Sequence, residues 1–321
     1  MLLATVVGLI VAIWTFGATG FADILGVARR LGPGGFLLFC AWSLGTFLLL
    51  GAAWLAAAPG ERTARLGRFT WARMLREAVS DLLPFSQLGG IVVAARSLSV
   101  AGIPTSRVYG SLLVDLTTEM AAQLVYTLFG LALIASLLVG DGAAASLRPA
   151  ILGGTAIMVV IILFFFVAQR SALDLTGRIG ERFVPGSQVA LDDIRAELAR
   201  IYLRRDRVAI AFGFNLAAWV ASGLGGWLAL HLMGAPISLL DVLSLESLIF
   251  TLRSVAFFIP GALGVQEVAY ALAAPLFGLP PESALALSLA KRARDVAIGL
   301  PTLLCWQFAE ARHIAARAAR R

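Results

Sequence analysis

The sequence predicts an all-α polytopic membrane protein with about six transmembrane helices and two re-entrant broken-helix hairpins, arranged as an inverted-topology internal repeat. Three observations predict it. The 321 residues are 60% hydrophobic and 14% charged, with a mean hydropathy of +0.89, far outside the range of a soluble domain. The apolar residues come in runs long enough for a helix to cross a hydrocarbon core of about 30 Å, which takes about 20 residues. Two further runs are broken centrally by Pro and Gly, at places that correspond when one half of the chain is laid on the other.

In chain order, crossings are expected at roughly 2–20, 33–57, 106–139, 148–169, 207–233 and 282–309. The first has no basic residues ahead of it and no convincing small-residue cleavage site after it, so a retained helix is expected in place of a signal peptide. The stretches 71–101 and 241–278 are interrupted by Leu83-Pro84-Phe85-Ser86-Gln87-Leu88-Gly89-Gly90 and by Ile259-Pro260-Gly261-Ala262-Leu263-Gly264-Val265-Gln266-Glu267. Pro removes a backbone donor and Gly loosens the helix, so each stretch reads as two short helices meeting at a break. Between the halves, 170–206 is polar, with Ile179, Phe183, Val189, Leu191, Ile194, Leu198, Ile201 and Tyr202 at roughly helical spacing. That pattern predicts a cytoplasmic amphipathic linker.

Arginine placement sets the expected orientation, because basic connections stay cytoplasmic. Arg62, Arg65, Arg68, Arg73 and Arg76 follow the second crossing, and further arginines fill 170–207 and the tail. Both termini are therefore expected in the cytoplasm of a bacterial cell, with the chain in its inner membrane; only Arg29 and Arg30 fall on the opposite side. The net charge of +7 resides in these connections without aromatic interleaving, which argues against a nucleic-acid partner and for anionic lipid. Cys40 and Cys305 lie inside apolar runs and read as packing residues. Nothing in the pattern excludes a homo-oligomer.

The repeat rests on Gly102-Ile103-Pro104 and Gly278-Leu279-Pro280, each just after a broken stretch and just before a long helix, at an offset of 176 residues (102 to 278). Leu83-Pro84 and Ile259-Pro260 share that offset. The single membrane domain 1–321 then divides into a first repeat at 33–139, the linker at 170–206 and a second repeat at 207–310. An odd number of crossings between equivalent points inverts the second copy, and paired broken helices in inverted repeats point to a transport site between the copies.

Ionisable groups inside a span are costly unless paired or wet, so each is a site candidate. Ser111, Asp115 and Glu119 share one helix face, with Asp115 about 12 Å below Arg107 at roughly 1.5 Å per residue. The matching helix carries Ser288, Lys291, Arg292, Arg294 and Asp295; at the repeat offset Asp115 meets Lys291 and Glu119 meets Asp295. The second break adds Pro260, Gly261, Gly264, Gln266 and Glu267, with Arg253 ahead of it; the first adds Gln87 and Arg96. Two readings stand side by side: a polar cavity that takes a headgroup, or a permanent ion-pair cluster joining the halves. Glu267 reads equally as a ligand group or as a helix-end carboxylate. His231 and His313 are far apart, and no metal-ligand spacing, phosphate loop or nucleophile elbow occurs. Neither a cofactor nor an enzymatic activity is expected.

The stretch Phe257-Phe258-Ile259-Pro260-Gly261-Ala262-Leu263-Gly264-Val265-Gln266-Glu267, with Leu276 to Asp295 behind it, resembles the hopanoid-biosynthesis-associated membrane proteins. These fall within the wider group that resembles the transmembrane, flippase-like domain of lysylphosphatidylglycerol synthases. The Pro-Gly-x-Leu-Gly-x-x-Glu core is typical of that group, with Ala262 where many members have a second Gly. The resemblance implies movement of a membrane lipid, a hopanoid or an anionic phospholipid, between leaflets or toward the outer membrane. Aminoacylation is not carried over, since no polar stretch reaches the length of a soluble transferase domain. An intramembrane lipid-modifying enzyme and an ion- or proton-coupled carrier of a small polar solute are the competing expectations.

Overall fold

The computed structural model describes residues 2–83, 86–138, 187–256 and 259–318, together with the single positions 153, 156 and 160. The expected crossing at 148–169 and the first part of the linker lie outside the described residues. All described secondary structure is helical. The helices are α1 (Leu2–Thr19), α2 (Phe21–Arg30), α3 (Gly32–Ala56), α4 (Leu66–Leu82), α5 (Ser86–Val100), α6 (Thr105–Leu138), α7 (Ser187–Leu203), α8 (Arg205–Leu232), α9 (Leu239–Val255), α10 (Val265–Ala273) and α11 (Pro281–Ala318).

Three of them are long and apolar enough to cross a membrane: α3, α6 over Thr105–Leu133, and α8. A fourth arises only if α1 and α2 count as one span, and these two meet at 86°. The single crossing expected at 2–20 thus continues into a second helix, because Gly20 turns the chain at φ +100°. Arg29 and Arg30, the two charges that fit the orientation badly, are exposed at the end of α2. The helix α11 has the length for a crossing but carries Lys291, Arg292, Arg294 and Asp295 within about one turn, and it is not among the helices apolar enough to cross a membrane.

Helix boundaries fall at both expected interruptions, with α4 ending at Leu82 and α9 at Val255. The helices α4 and α5 lie antiparallel. Arg68 Nη1 donates to the carbonyl of Ala101 at 2.9 Å, and Gly90 sits against the Arg76 carbonyl and Ser80. Each half then closes on the same turn. Gly102 and Gly278 take left-handed backbone, φ +83° and +67°. Ile103 N–H bonds the Leu98 carbonyl at 3.3 Å and Leu279 N–H that of Ala274 at 3.1 Å, the six-to-one bond of a glycine-capped helix end. Ile103 and Leu279 are both buried beneath these turns.

The series α3–α4–α5–α6 and α8–α9–α10–α11 run in the same order, and their contacts are unchanged in kind when the series are exchanged. The helices α3 and α8 pack on each other, α4 packs on α11 while α9 packs on α6, and α3·α4 is matched by α8·α9. The crossed seams differ in chemistry. Between α6 and α9, Thr127 and Thr251 hydroxyls lie 2.8 Å apart, and Gln123 Nε2 donates to the Phe250 carbonyl at 3.2 Å. Between α4 and α11, the seam is Ala78, Val79 and Leu82 against Gly299 and Leu303.

The described part of the linker, α7, is docked on the bundle. Its Leu198 and Ile201 join Ala56, Ala57, Val114 and Ala211 in one apolar cluster, and Glu197 lies 3.5 Å from Arg107, which also binds Glu61 at 2.8 Å. An amphipathic helix with one apolar stripe buries that stripe wherever a partner surface exists.

Candidate functional site

Two charged clusters and a bridge between them occupy the interior. The first is built by α4 and α6. Ser111, Asp115 and Glu119 do share one face, and that face meets α4. Arg73 spans both oxygens of Glu119 at 2.7 and 3.0 Å, reaches Asp115 at 3.3 Å and holds Glu77 at 3.3 Å. Arg76 adds a 2.9 Å bond to Glu119, and Asn215 of α8 donates to Asp115 and to Thr118. Arg73 and Arg76 were expected in a basic connection, and they are instead interior residues. Both are buried in α4, because two carboxylates on α6 need cations that a low-dielectric interior cannot leave outside.

The second cluster is built by α9, α10 and α11. Lys291 is paired with Glu246; Tyr270 donates to Glu246 at 2.5 Å and accepts from Lys291 at 2.8 Å. Lys291 Nζ also stands 5.1 Å over the Phe250 ring. Arg73 and Glu246 each lie seven residues past the first residue of their helices, α4 and α9. The pair Arg73–Asp115 joins α4 to α6 and the pair Glu246–Lys291 joins α9 to α11, with the cation on the earlier helix in the first and on the later helix in the second.

The second break is fastened beside this cluster. Pro260, Gly261 and Ala262 form a short 3-10 turn in which Gly261 has φ +56° and Ala262 φ +47°. Gly264 has φ +79°, and a methyl there would lie 2.6 Å from the Gly8 carbonyl of α1, so the position needs glycine for conformation and for space. Glu267 accepts from Gly264 N–H at 2.9 Å and so caps α10. It also accepts from Ser288 and from Arg292, both at 3.1 Å, and Arg292 donates onward to the Gly261 carbonyl at 2.6 Å. Glu267 is thus a helix-end carboxylate that also belongs to the charged network.

The bridge joins the halves where the breaks meet. Arg253 of α9 donates to Gln266 at 2.9 Å and to Asp81 of α4 at 3.3 Å, while the turn at Gly261 lies against the Asp81 backbone. Arg294 and Asp295 pair with each other at 2.6 Å. Three expected site residues fall elsewhere or go undescribed. Arg96 is 53% exposed and paired with Glu310 on α11, apart from the clusters; the side chains of Gln87 and Pro260 are outside the described residues. Asp81, Glu77, Tyr270 and Asn215 were not selected from sequence. The spacing Arg73, Glu77, Asp81 at i, i+4 and i+8 is the signal that marks α4 as a charged face.

A family model, the lysylphosphatidylglycerol synthase TM region, matches residues 1–301. The chain belongs to this family. Searches of curated proteins and of solved structures give no match. Membership makes the chain a membrane protein with a lipid-related function, and the lysylphosphatidylglycerol synthase TM-region match takes in both breaks, both clusters and the bridge.

Proposed function

We propose that this chain is a lipid transporter of the flippase type, moving a membrane lipid between leaflets of a bacterial inner membrane. The observation that carries the reading is that both helix interruptions converge on one charged cluster joining the halves, at Asp81, Arg253, Gln266 and Gly261. Paired broken helices between repeats are the arrangement in which transporters place their binding sites. In this reading the second repeat is inverted relative to the first, α4–α5 and α9–α10 are the re-entrant hairpins, and both termini are cytoplasmic. The headgroup meets Arg253, Gln266, Arg294 and Asp295, while Asp115, Glu119, Lys291 and Glu267 hold the framework. The resemblance around 257–295 makes a hopanoid-type lipid the proposed cargo.

Transport is tested with purified protein in phosphatidylcholine vesicles carrying acyl-labelled phospholipid, read as the fraction of label protected from a membrane-impermeant quencher. Protein-dependent loss of protection with unchanged lipid mass supports transport; chemically altered lipid favours the enzymatic alternative instead. The cargo is tested separately by deleting the gene and fractionating the membranes. A wild-type distribution of hopanoids between them removes the hopanoid assignment.

A further inference from the structure

The ion pairs of the interior fall into two classes by accessibility. Arg73–Asp115 and Lys291–Glu246 are closed, with side chains at most 3% accessible. Around the bridge, Asp81, Asp295, Arg253 and Arg294 each keep between 11% and 21% of their side chain accessible, while Glu77 and Arg292 are taken up by Arg73 and Glu267. Asp295 and Arg294 are electrostatic neighbours of Asp81 and Arg253. Two carboxylates thus stand with two guanidiniums at the point where the breaks meet. The contact between Asp81 and Arg253 is a single bond of 3.3 Å across the halves, with both partners open, whereas the Arg73–Glu119 contact is doubled.

We propose that this balanced ring is a headgroup site selective for lipids without net headgroup charge, and that Asp81 and Arg253 are the residues that select. The proposal rests on the transport reading of the same site and narrows it. A headgroup offering both donors and acceptors, whether the amine and phosphate of a zwitterionic phospholipid or the hydroxyls of a polyhydroxylated hopanoid, replaces the Asp81–Arg253 bond group for group and leaves the ring neutral. An anionic headgroup leaves one uncompensated charge in a poorly solvated place, which is disfavoured. This runs against the anionic-phospholipid alternative raised by the basic connections, none of whose arginines belongs to the ring.

The test is equilibrium binding of acyl-labelled phosphatidylethanolamine and phosphatidylglycerol to the full-length protein purified in a neutral detergent. The expected preference for phosphatidylethanolamine is about tenfold, one decade in the dissociation constant. Asp81→Asn leaves the ring net positive and is expected to abolish or invert the preference; Arg253→Gln leaves it net negative and is expected to widen it. Equal binding of the two lipids by wild type overturns the proposal, as does the same preference in both variants. Should one variant fail to fold, the wild-type ratio and the other variant still decide. Competition by a polyhydroxylated hopanoid against a zwitterionic phospholipid separates the two neutral sources. Because the readout is binding, a selective protein that moves no lipid in vesicles refutes transport while leaving the selectivity intact, and an unselective protein that moves lipid does the reverse.

Discussion

The two halves solve the same packing problem with opposite charges and unequal redundancy. In the first half one guanidinium, Arg73, serves three carboxylates, and Arg76 backs it up. In the second half one ammonium, Lys291, serves one carboxylate, with Tyr270 completing a triangle. The crossed seams differ in the same way, hydroxyl-bonded between α6 and α9 and apolar between α4 and α11. Two helix series that pack in the same order therefore carry different chemistry, which is possible because what the interior requires at such a pair is local neutrality, not a particular sign on a particular helix.

The largest expected effect breaks the clusters. Arg73→Met and Lys291→Met should each lower stability by about 3–5 kcal/mol, the usual cost of leaving a buried charge without its partner. Rescue is where the halves part: adding Glu246→Gln should restore most of the stability lost in Lys291→Met, because that pair is one to one. No single carboxylate removal should rescue Arg73→Met, because Glu77, Asp115 and Glu119 all depend on it. Thermal unfolding of the purified variants checks both statements, and equal rescue in the two halves would show that the difference in redundancy has no energetic weight.

The seams give the next effect. A methyl at Gly130 would lie 2.7 Å from Ser247 Cβ, on an atom fixed to the α9 backbone, whereas one at Gly299 would meet mainly the mobile end of Leu82 at 2.8 Å. Gly130→Ala should destabilise by about 1–3 kcal/mol, the range for overpacking, and Gly299→Ala by clearly less. A larger loss at Gly299 in the same unfolding measurement would mean that the apolar seam is the more rigid one.

The smallest effect sharpens the contrast between the breaks. Ala262 holds a left-handed conformation at φ +47°, which costs an L-residue about 1–2 kcal/mol. Ala262→Gly should therefore raise the melting temperature by a few degrees; a fall would indicate that the Ala262 methyl contributes packing that outweighs the backbone strain.

Much of this was legible in advance, for identifiable reasons. The ends of α3, α6 and α8 lie within two residues of the expected crossings, since a long apolar run has few alternatives to a helix. The paired Gly-x-Pro turns were legible because only glycine takes the left-handed step cheaply. Arg73 and Arg76 were not: counted as charges in a linear string they look like surface signals, and only the carboxylates across from them explain their burial. The same holds for Asp81, which lies 172 residues from Arg253 in the chain.

Sequence alone determined that the chain is helical and membrane-embedded, where its helices break, and which face of α6 is acidic, because hydropathy and backbone conformational preference are local properties. The tertiary structure alone decided which charges neutralise one another, which pairs are closed, and which remain open where the breaks meet. Electrostatic pairing in a low-dielectric interior depends on distances of a few ångströms between residues far apart in the chain, and no local pattern carries that information.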